Sequence, residues 1–207
     1  MIRFHDVCFA YPGERGSSSA DQVSTVLVLD HLSFEAADGA VVWLDGANGT
    51  GKSTIIHLAL GLLTPTSGIV ETTSGNVSAV FQEDRLCDHL TAVANVRLGL
   101  GRPTDTAQIM AELIAAGLPP EEAHRPVAQL SGGQRRRVGL VRALMRPSNL
   151  LCLDEPYTGI DQSSLESLID YTQSRLSNRT VLLTCHDPAV AARFAPQVVN
   201  LSGLDPR

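Results

Sequence analysis

Apolar and polar residues alternate along this chain in two rhythms. Residues 2–11 alternate as a strand that Pro12-Gly13 ends, and residues 26–29 and 32–36 read as two further short strands. The stretch between them, 13–24, is rich in Ser and Gly and reads as a mobile surface connection. Residues 40–44, by contrast, are apolar without interruption up to Asp45-Gly46. A run apolar on both faces is what a central parallel strand needs. Residues 52–60 then read as a helix stopped by Gly61. From 82 to 129 the texture is helical. Thr91 can cap a helix running to Arg97, and Ile109, Met110, Leu113 and Ile114 recur at helical spacing up to Gly117. Pro119-Pro120-Glu121-Glu122 reads as another helix start. Val138, Val141 and Leu144 share one face of a further helix. Two apolar strands, 150–153 and 180–184, bracket a helix from about Ser163 to Leu176. Strand and helix alternate around a helical insertion, which is the α/β pattern.

Composition narrows the class. With 207 residues, 43% hydrophobic and 18% charged, the chain is globular rather than disordered. Its size is that of one large domain or a core with a small subdomain. Sixteen Lys+Arg against 22 Asp+Glu leave a charge of −6, which argues against a protein built to coat nucleic acid. No apolar stretch approaches the ~20 residues of a membrane helix. The opening Met1-Ile-Arg-Phe-His-Asp is not a secretory signal. The expectation is a soluble, cytoplasmic chain that does not itself cross a membrane. Cys8, Cys87, Cys152 and Cys185 are scattered without a C-x-x-C pair. Cys8, Cys152 and Cys185 fall in strand-like segments, where a thiol is an inert small hydrophobe.

Three segments carry chemistry. Gly46-Ala47-Asn48-Gly49-Thr50-Gly51-Lys52-Ser53, followed by Thr54, matches G-x-x-x-x-G-K-[ST] between an apolar strand and a helix. Glycines let backbone N–H groups turn inward to phosphate oxygens, and the helix N-terminus adds partial positive charge. Lys52 supplies a full charge for the β- and γ-phosphates, and Ser53 a hydroxyl for Mg²⁺. Leu150-Leu-Cys-Leu153-Asp154-Glu155 is a strand ending in two carboxylates. Asp154 would face Mg²⁺ at the strand end, and Glu155 suits orienting or deprotonating an attacking water. Leu130-Ser131-Gly132-Gly133-Gln134 opens a helix as a second anion-binding terminus. Arg135-Arg136-Arg137 directly after it reads as a solvated helix face.

These motifs, in this order, resemble the ATP-binding-cassette (ABC) ATPases over essentially the whole chain, with the signature Leu130–Gln134 unsubstituted. The resemblance implies further roles. Gln82, in Val-Phe-Gln-Glu-Asp, matches the Q-loop glutamine that senses Mg²⁺ and the lytic water. His186, in Thr-Cys-His-Asp, matches the switch histidine at the γ-phosphate. Asp161, in Gly-Ile-Asp where the family more often has Ala-Leu-Asp, matches the D-loop aspartate. Tyr11 matches the aromatic that stacks on adenine, with Phe9 on the same strand face as the other aromatic available for that task. Glu155 matches the catalytic glutamate. The implied set is catalytic Glu155, His186 and Gln82, nucleotide contacts from Tyr11 and Gly46 to Thr54, and Mg²⁺ ligands Ser53, Gln82 and Asp154.

The fold implied is a P-loop NTPase with a RecA-like, mostly parallel sheet, antiparallel N-terminal strands and a helical subdomain. Residues 1–82 and 134–207 form the ATP-binding core, and 83–133 the helical subdomain that carries the signature. In the family, two cassettes pair head to tail, each ATP lying between the P-loop of one and the signature of the other. The partners implied are a second cassette, the same chain or another, and integral-membrane permease subunits. An extracytoplasmic solute-binding protein belongs to that set, and nucleic acid does not. The chain would lie on the inner face of the cell membrane, held by the permease. Local wording around Gln82 and Thr91 looks most like the cassettes of nitrate, sulfonate and taurine-type importers, which implies import of a small solute. Only 21 residues follow His186, so no C-terminal regulatory domain is expected. Two rivals share part of the pattern. A non-transport ABC ATPase acting on nucleic acid or in cell division would keep every motif. A small-molecule kinase would need only the P-loop.

Overall fold

Residues 1–12, 26–72, 75–176 and 178–201, described by a computed structural model, form two sheets flanked by helices. The connection at 13–24 lies outside the described residues. In the smaller sheet β1 (Ile2–Tyr11) runs antiparallel between β2 (Val26–Ala36) and β4 (Ser67–Thr72). The larger sheet is parallel, in the order β5 (Val77–Val80), β6 (Leu150–Asp154), β7 (Thr180–Thr184), β3 (Val41–Asp45) and β8 (Gln197–Asn200). Among the described residues, six α-helices connect them: α1 (Lys52–Ala59), α2 (Ala92–Leu100), α3 (Thr106–Ala115), α4 (Gly132–Met145), α5 (Gln162–Gln173) and α6 (Pro188–Ala192).

The parallel strands explain their own composition. Leu150, Cys152 and Leu182 face one core, with β1, β2 and α1. Leu151, Leu153, Val181 and Leu183 face the other, with α2 to α5. Since successive side chains point to opposite faces, a strand buried on both must be apolar throughout. Trp43 and Val41 lean on the second core while Val42 and Leu44 fill the first, so β3 serves both as expected.

Three expectations are corrected. Segments 26–29 and 32–36 are one strand, bent but not broken. His31, at φ 48°, takes up the irregularity, and β1 answers it with Asp6 at φ 53°. Between the pairs Phe4↔Phe34 and Val7↔Leu32, two residues of β1 face one of β2. Between Val7↔Leu32 and Phe9↔Leu29, Cys8 alone faces Asp30 and His31. These are two successive bulges on opposite strands. Next, the helix start at Pro119-Pro120 yields only the 3₁₀ turn Pro120–Glu122. Tertiary hydrogen bonds win there: Ala123 O accepts from Val93 N at 3.2 Å, and Val127 N donates to Leu90 O at 2.9 Å, drawing the chain back to α2. Finally, Arg135–137 is not a solvated face. Arg136 is 6% exposed and Arg137 7%, because α4 turns that side toward α2, α3 and the segment after β5. Of the cysteines only Cys152 is fully buried. Cys185 lies one residue beyond β7, and all four are free thiols.

Candidate functional site

The loop from β3 to α1 is built to leave backbone donors open. Gly49 and Gly51 sit at φ 84° and 93°, and Gly51 caps α1 with no side-chain hydrogen bond. A Cβ on Gly51 would lie 2.8 Å from Leu29 Cδ2, so glycine is required by conformation and by space. The first-turn N–H groups of α1 therefore have no internal acceptor from a cap and face the cleft as an anion site. Thr50 Oγ1 turns inward to donate to Ala47 O at 2.9 Å, bracing the loop rather than lining it. Lys52 Nζ donates to Gly46 O at 2.7 Å and Ala47 O at 2.9 Å, a primary amine held at the mouth of the loop.

That loop is one wall of a cleft of about 450 Å³. The cleft gathers Tyr11, Asn48, Gly49, Gly51, Lys52, Ser53, Thr54, Gln82, Asp154, Glu155 and His186, from five separate segments, together with Val28. Of the two aromatics, Tyr11 lines the cleft. Phe9 is 6% exposed in the core, whereas Tyr11 is 40% exposed, packs edge-on against Phe9 and places its hydroxyl 3.3 Å from Thr54 Oγ1.

The acidic end of β6 is fixed by the first residue of the Thr-Cys-His-Asp segment, to which the resemblance gives no role. Thr184, paired with Asp154 across the β6–β7 ladder, donates to Asp154 Oδ1 at 2.8 Å and accepts from Glu155 N at 2.9 Å. Its signals in the sequence are its place at the head of that segment and at the end of an apolar strand. Glu155 is a left-handed residue, φ 48°, which swings it off the strand line into the cleft. Its Oε1 is buried without a hydrogen bond, and His186 Nε2 lies 3.4 Å away. Burial pushes the Glu155 carboxyl above the ordinary carboxylate range, against the opposing pull of His186 and Lys52. A carboxylate in that state is a better proton acceptor than an exposed one.

Leu130–Gln134 is not part of this cleft. Ser131 caps α4, accepting from Gln134 N at 3.3 Å, while Gln134 Oε1 accepts from Ser131 N at 2.9 Å, a complete capping box. Gly132 has open space where a Cβ would be, and Gly133 lies against Gly159 O. Asp161 caps α5, and hydrogen bonds from Ser163 and then Ser164 hold its carboxyl below the ordinary range. Arg137 Nη2 stands 3.7 Å from it.

The arginine triad ties these regions together. Arg136 donates from Nη1 to Phe81 O at 2.7 Å and from Nη2 to Gln82 O at 2.5 Å, so the helix that follows the signature grips the backbone of Gln82. Arg137 donates to Ala116 O at 2.7 Å, and Arg135 pairs with Asp88 at 2.8 Å. The triad was visible in the sequence as charge. Its inward direction depends on packing.

Comparison with known proteins agrees with this arrangement. The ABC transporter family matches residues 29–158. The thiamine import ATP-binding protein ThiQ of Chelativorans sp. (strain BNC1) is 34% identical, over 96% of this chain and 82% of its own. An aliphatic sulfonates import ATP-binding protein of Rhodococcus jostii (strain RHA1) is 35% identical, over 84% of this chain and 73% of its own. A bacterial ABC transporter cassette solved as a dimer superposes with a TM-score of 0.84 at 26% identity, covering 98% of this chain and 94% of that one. Among the described residues no helix is long and apolar enough to cross a membrane.

Proposed function

This chain belongs to the ABC transporter family, and we propose from that premise that it is the ATP-binding and ATP-hydrolysing subunit of an importer for a small solute. It works as one of two cassettes that close around two ATP molecules and drive separate membrane subunits. The carrying observation is the convergence of Lys52, Gln82, Asp154, Glu155 and His186 on one cleft beside an uncapped glycine loop. Residues 83–133 act as the helical subdomain that carries the signature, and 1–82 with 134–207 as the ATP-binding core.

The donors present suit Mg-ATP. The loop N–H groups and Lys52 bind the β- and γ-phosphates, and Tyr11 stacks on the adenine. Ser53, Gln82 and Asp154 offer the hydroxyl, amide and carboxylate oxygens that Mg²⁺ prefers. When bound, that ion would neutralise charge developing on the phosphates. Glu155 takes a proton from the water that attacks the γ-phosphorus. The bond from that phosphorus to the β,γ-bridging oxygen breaks, leaving ADP and inorganic phosphate. His186 donates a hydrogen bond to the γ-phosphoryl oxygens and so orders the attack.

Hydrolysis requires the second cassette because the signature lies outside the chain's own cleft. The partner's Ser-Gly-Gly segment covers the γ-phosphate, so ATP completes the interface and its hydrolysis reopens it. Asp161, at the start of α5, carries contact between the two sites. Permease subunits hold the pair at the inner face of the membrane, and an extracytoplasmic solute-binding protein delivers the solute. The names of two relatives, a thiamine import and an aliphatic sulfonates import ATP-binding protein, support import. The inward Arg136 and Arg137 leave little of the triad for nucleic acid.

Affinity purification of the tagged chain from detergent-solubilised membranes, with and without nuclease, tests this reading. Recovery of a multi-span membrane protein in stoichiometric amount, unaffected by nuclease, is expected. Nuclease-sensitive association with ribosomes or DNA, and no membrane protein, would overturn it in favour of a non-transport ATPase.

A further inference from the structure

Two of the three irregularities of the β1–β2 ribbon converge on one spot. Cys8 on β1 faces Asp30 and His31 on β2, and their sulfur, carboxylate and imidazole donors lie within 4.8 Å of one another. His31 Nδ1 contacts Asp6 Oδ1 at 2.6 Å, and Nε2 stands 3.8 Å from Asp30 Oδ1. The backbone N–H of His31 donates to Cys8 Sγ at 3.3 Å. Both left-handed residues, Asp6 and His31, belong to this contact, so the irregular backbone is what brings the side chains together.

We propose that Cys8, Asp30 and His31 bind a thiophilic divalent cation of the Zn²⁺ class. The donor set points to that class. Thiolate with imidazole and carboxylate suits a borderline-soft ion and is a poor site for Mg²⁺, which wants oxygen ligands in an octahedron. The spacing is also near what is needed. Tetrahedral Zn–N and Zn–S bonds put ligand atoms about 3.3–3.8 Å apart, so closing the group calls for side-chain adjustment only. His31 and Asp30 are exposed and free to make it. Asp6 plays the part of the carboxylate behind a metal-bound histidine: it holds Nδ1–H and leaves Nε2 as the ligand. Binding releases the Cys8 thiol proton to solvent, takes His31 as neutral imidazole, and leaves a fourth position for water.

The site is separate from the ATP cleft but shares its strands. Cys8 is three residues from Tyr11 along β1, and Asp30 two from Val28 along β2. A bound ion would cross-link the two strands behind the adenine-side wall of the cleft.

Co²⁺ is the probe, titrated into the full chain in a non-thiol reductant with excess Mg-ATP to fill the nucleotide site. The expected result is a near-ultraviolet sulfur-to-cobalt band with visible bands of a four-coordinate ion, saturating at one equivalent and bleached by Zn²⁺. Cys8→Ser and His31→Gln should each abolish the sulfur band while leaving ATP binding and the melting curve of the metal-free chain intact. Asp6→Asn should weaken Co²⁺ about tenfold or more. A sulfur-to-cobalt band that survives Cys8→Ser would place the metal at another cysteine. A pale six-coordinate spectrum, or no band at all, would also overturn the proposal.

Discussion

The chain contains two glycine-rich helix starts, and they are finished in opposite ways. At α1 the cap is Gly51 in a left-handed conformation, with no side chain closing the helix end. At α4 the cap is Ser131, and Ser131 and Gln134 satisfy each other's backbone N–H groups in a capping box. An end left open needs an anion to complete it. An end already closed is stable alone and can be presented, with its exposed Gly132, to something else. On the proposed function, similar wording in the sequence describes a receptor in one place and a lid surface in the other.

Glu155→Gln, in the receptor region, carries the largest expected effect. Losing the base should lower kcat about 100- to 10,000-fold with the KM for ATP nearly unchanged, in steady-state phosphate release. A matched pair of glycine variants addresses the comparison itself. Gly51→Ala forces a strained φ and a 2.8 Å approach to Leu29, and should weaken nucleotide binding by the single chain about 100-fold, a loss of about 2.7 kcal/mol. Gly132→Ala places its methyl in open space. Single-chain nucleotide titrations should match the wild type, and only the paired ATPase rate should fall. Equal loss of single-chain binding in both variants would break the distinction between receptor and lid.

Arg136→Met joins the two regions and is expected next in size. It removes the hydrogen bonds to Phe81 O and Gln82 O. Stability should fall by about 1.5–3 kcal/mol in denaturant. In the folded fraction kcat should drop about tenfold, because Gln82 loses its anchor, while nucleotide affinity stays near normal.

The smallest effect is a pH dependence. Glu155 has its folded pKa raised by burial, so ionisation opposes folding. Stability from this group is complete below the ordinary carboxylate range and declines as pH rises through the raised folded value. Glu155→Gln cannot ionise, so it should melt above the wild type at pH 8. The difference should vanish near pH 4, as followed by circular dichroism.

Much of this is legible in the sequence. The long apolar runs at 40–44, 150–153 and 180–184 declared a parallel sheet because only strands buried on both faces need them. The P-loop and signature declared themselves by fixed spacing. β5 and β8, four residues each, and the exposed edge strand β4 leave no such mark, since short or half-polar strands depend on their neighbours rather than on a period. Thr184 was illegible for a related reason. Its task arises from the register that puts it beside Asp154. Arg136 was legible as charge but not in direction, because burial of a helix face is decided by what packs there.

The central claim is that one chain's cleft holds ATP and another chain's Leu130–Gln134 closes over it. Sedimentation velocity of Glu155→Gln with Mg-ATP, beside the same chain carrying Ser131→Arg as well, tests this most directly. Glu155→Gln alone should pass from one chain mass, 22.1 kDa, to twice that mass when Mg-ATP is added. The double variant should bind nucleotide equally well and remain at one chain mass. If the single variant stays monomeric with Mg-ATP, or the double variant dimerises just as well, the signature does not close the site from a second copy of this chain.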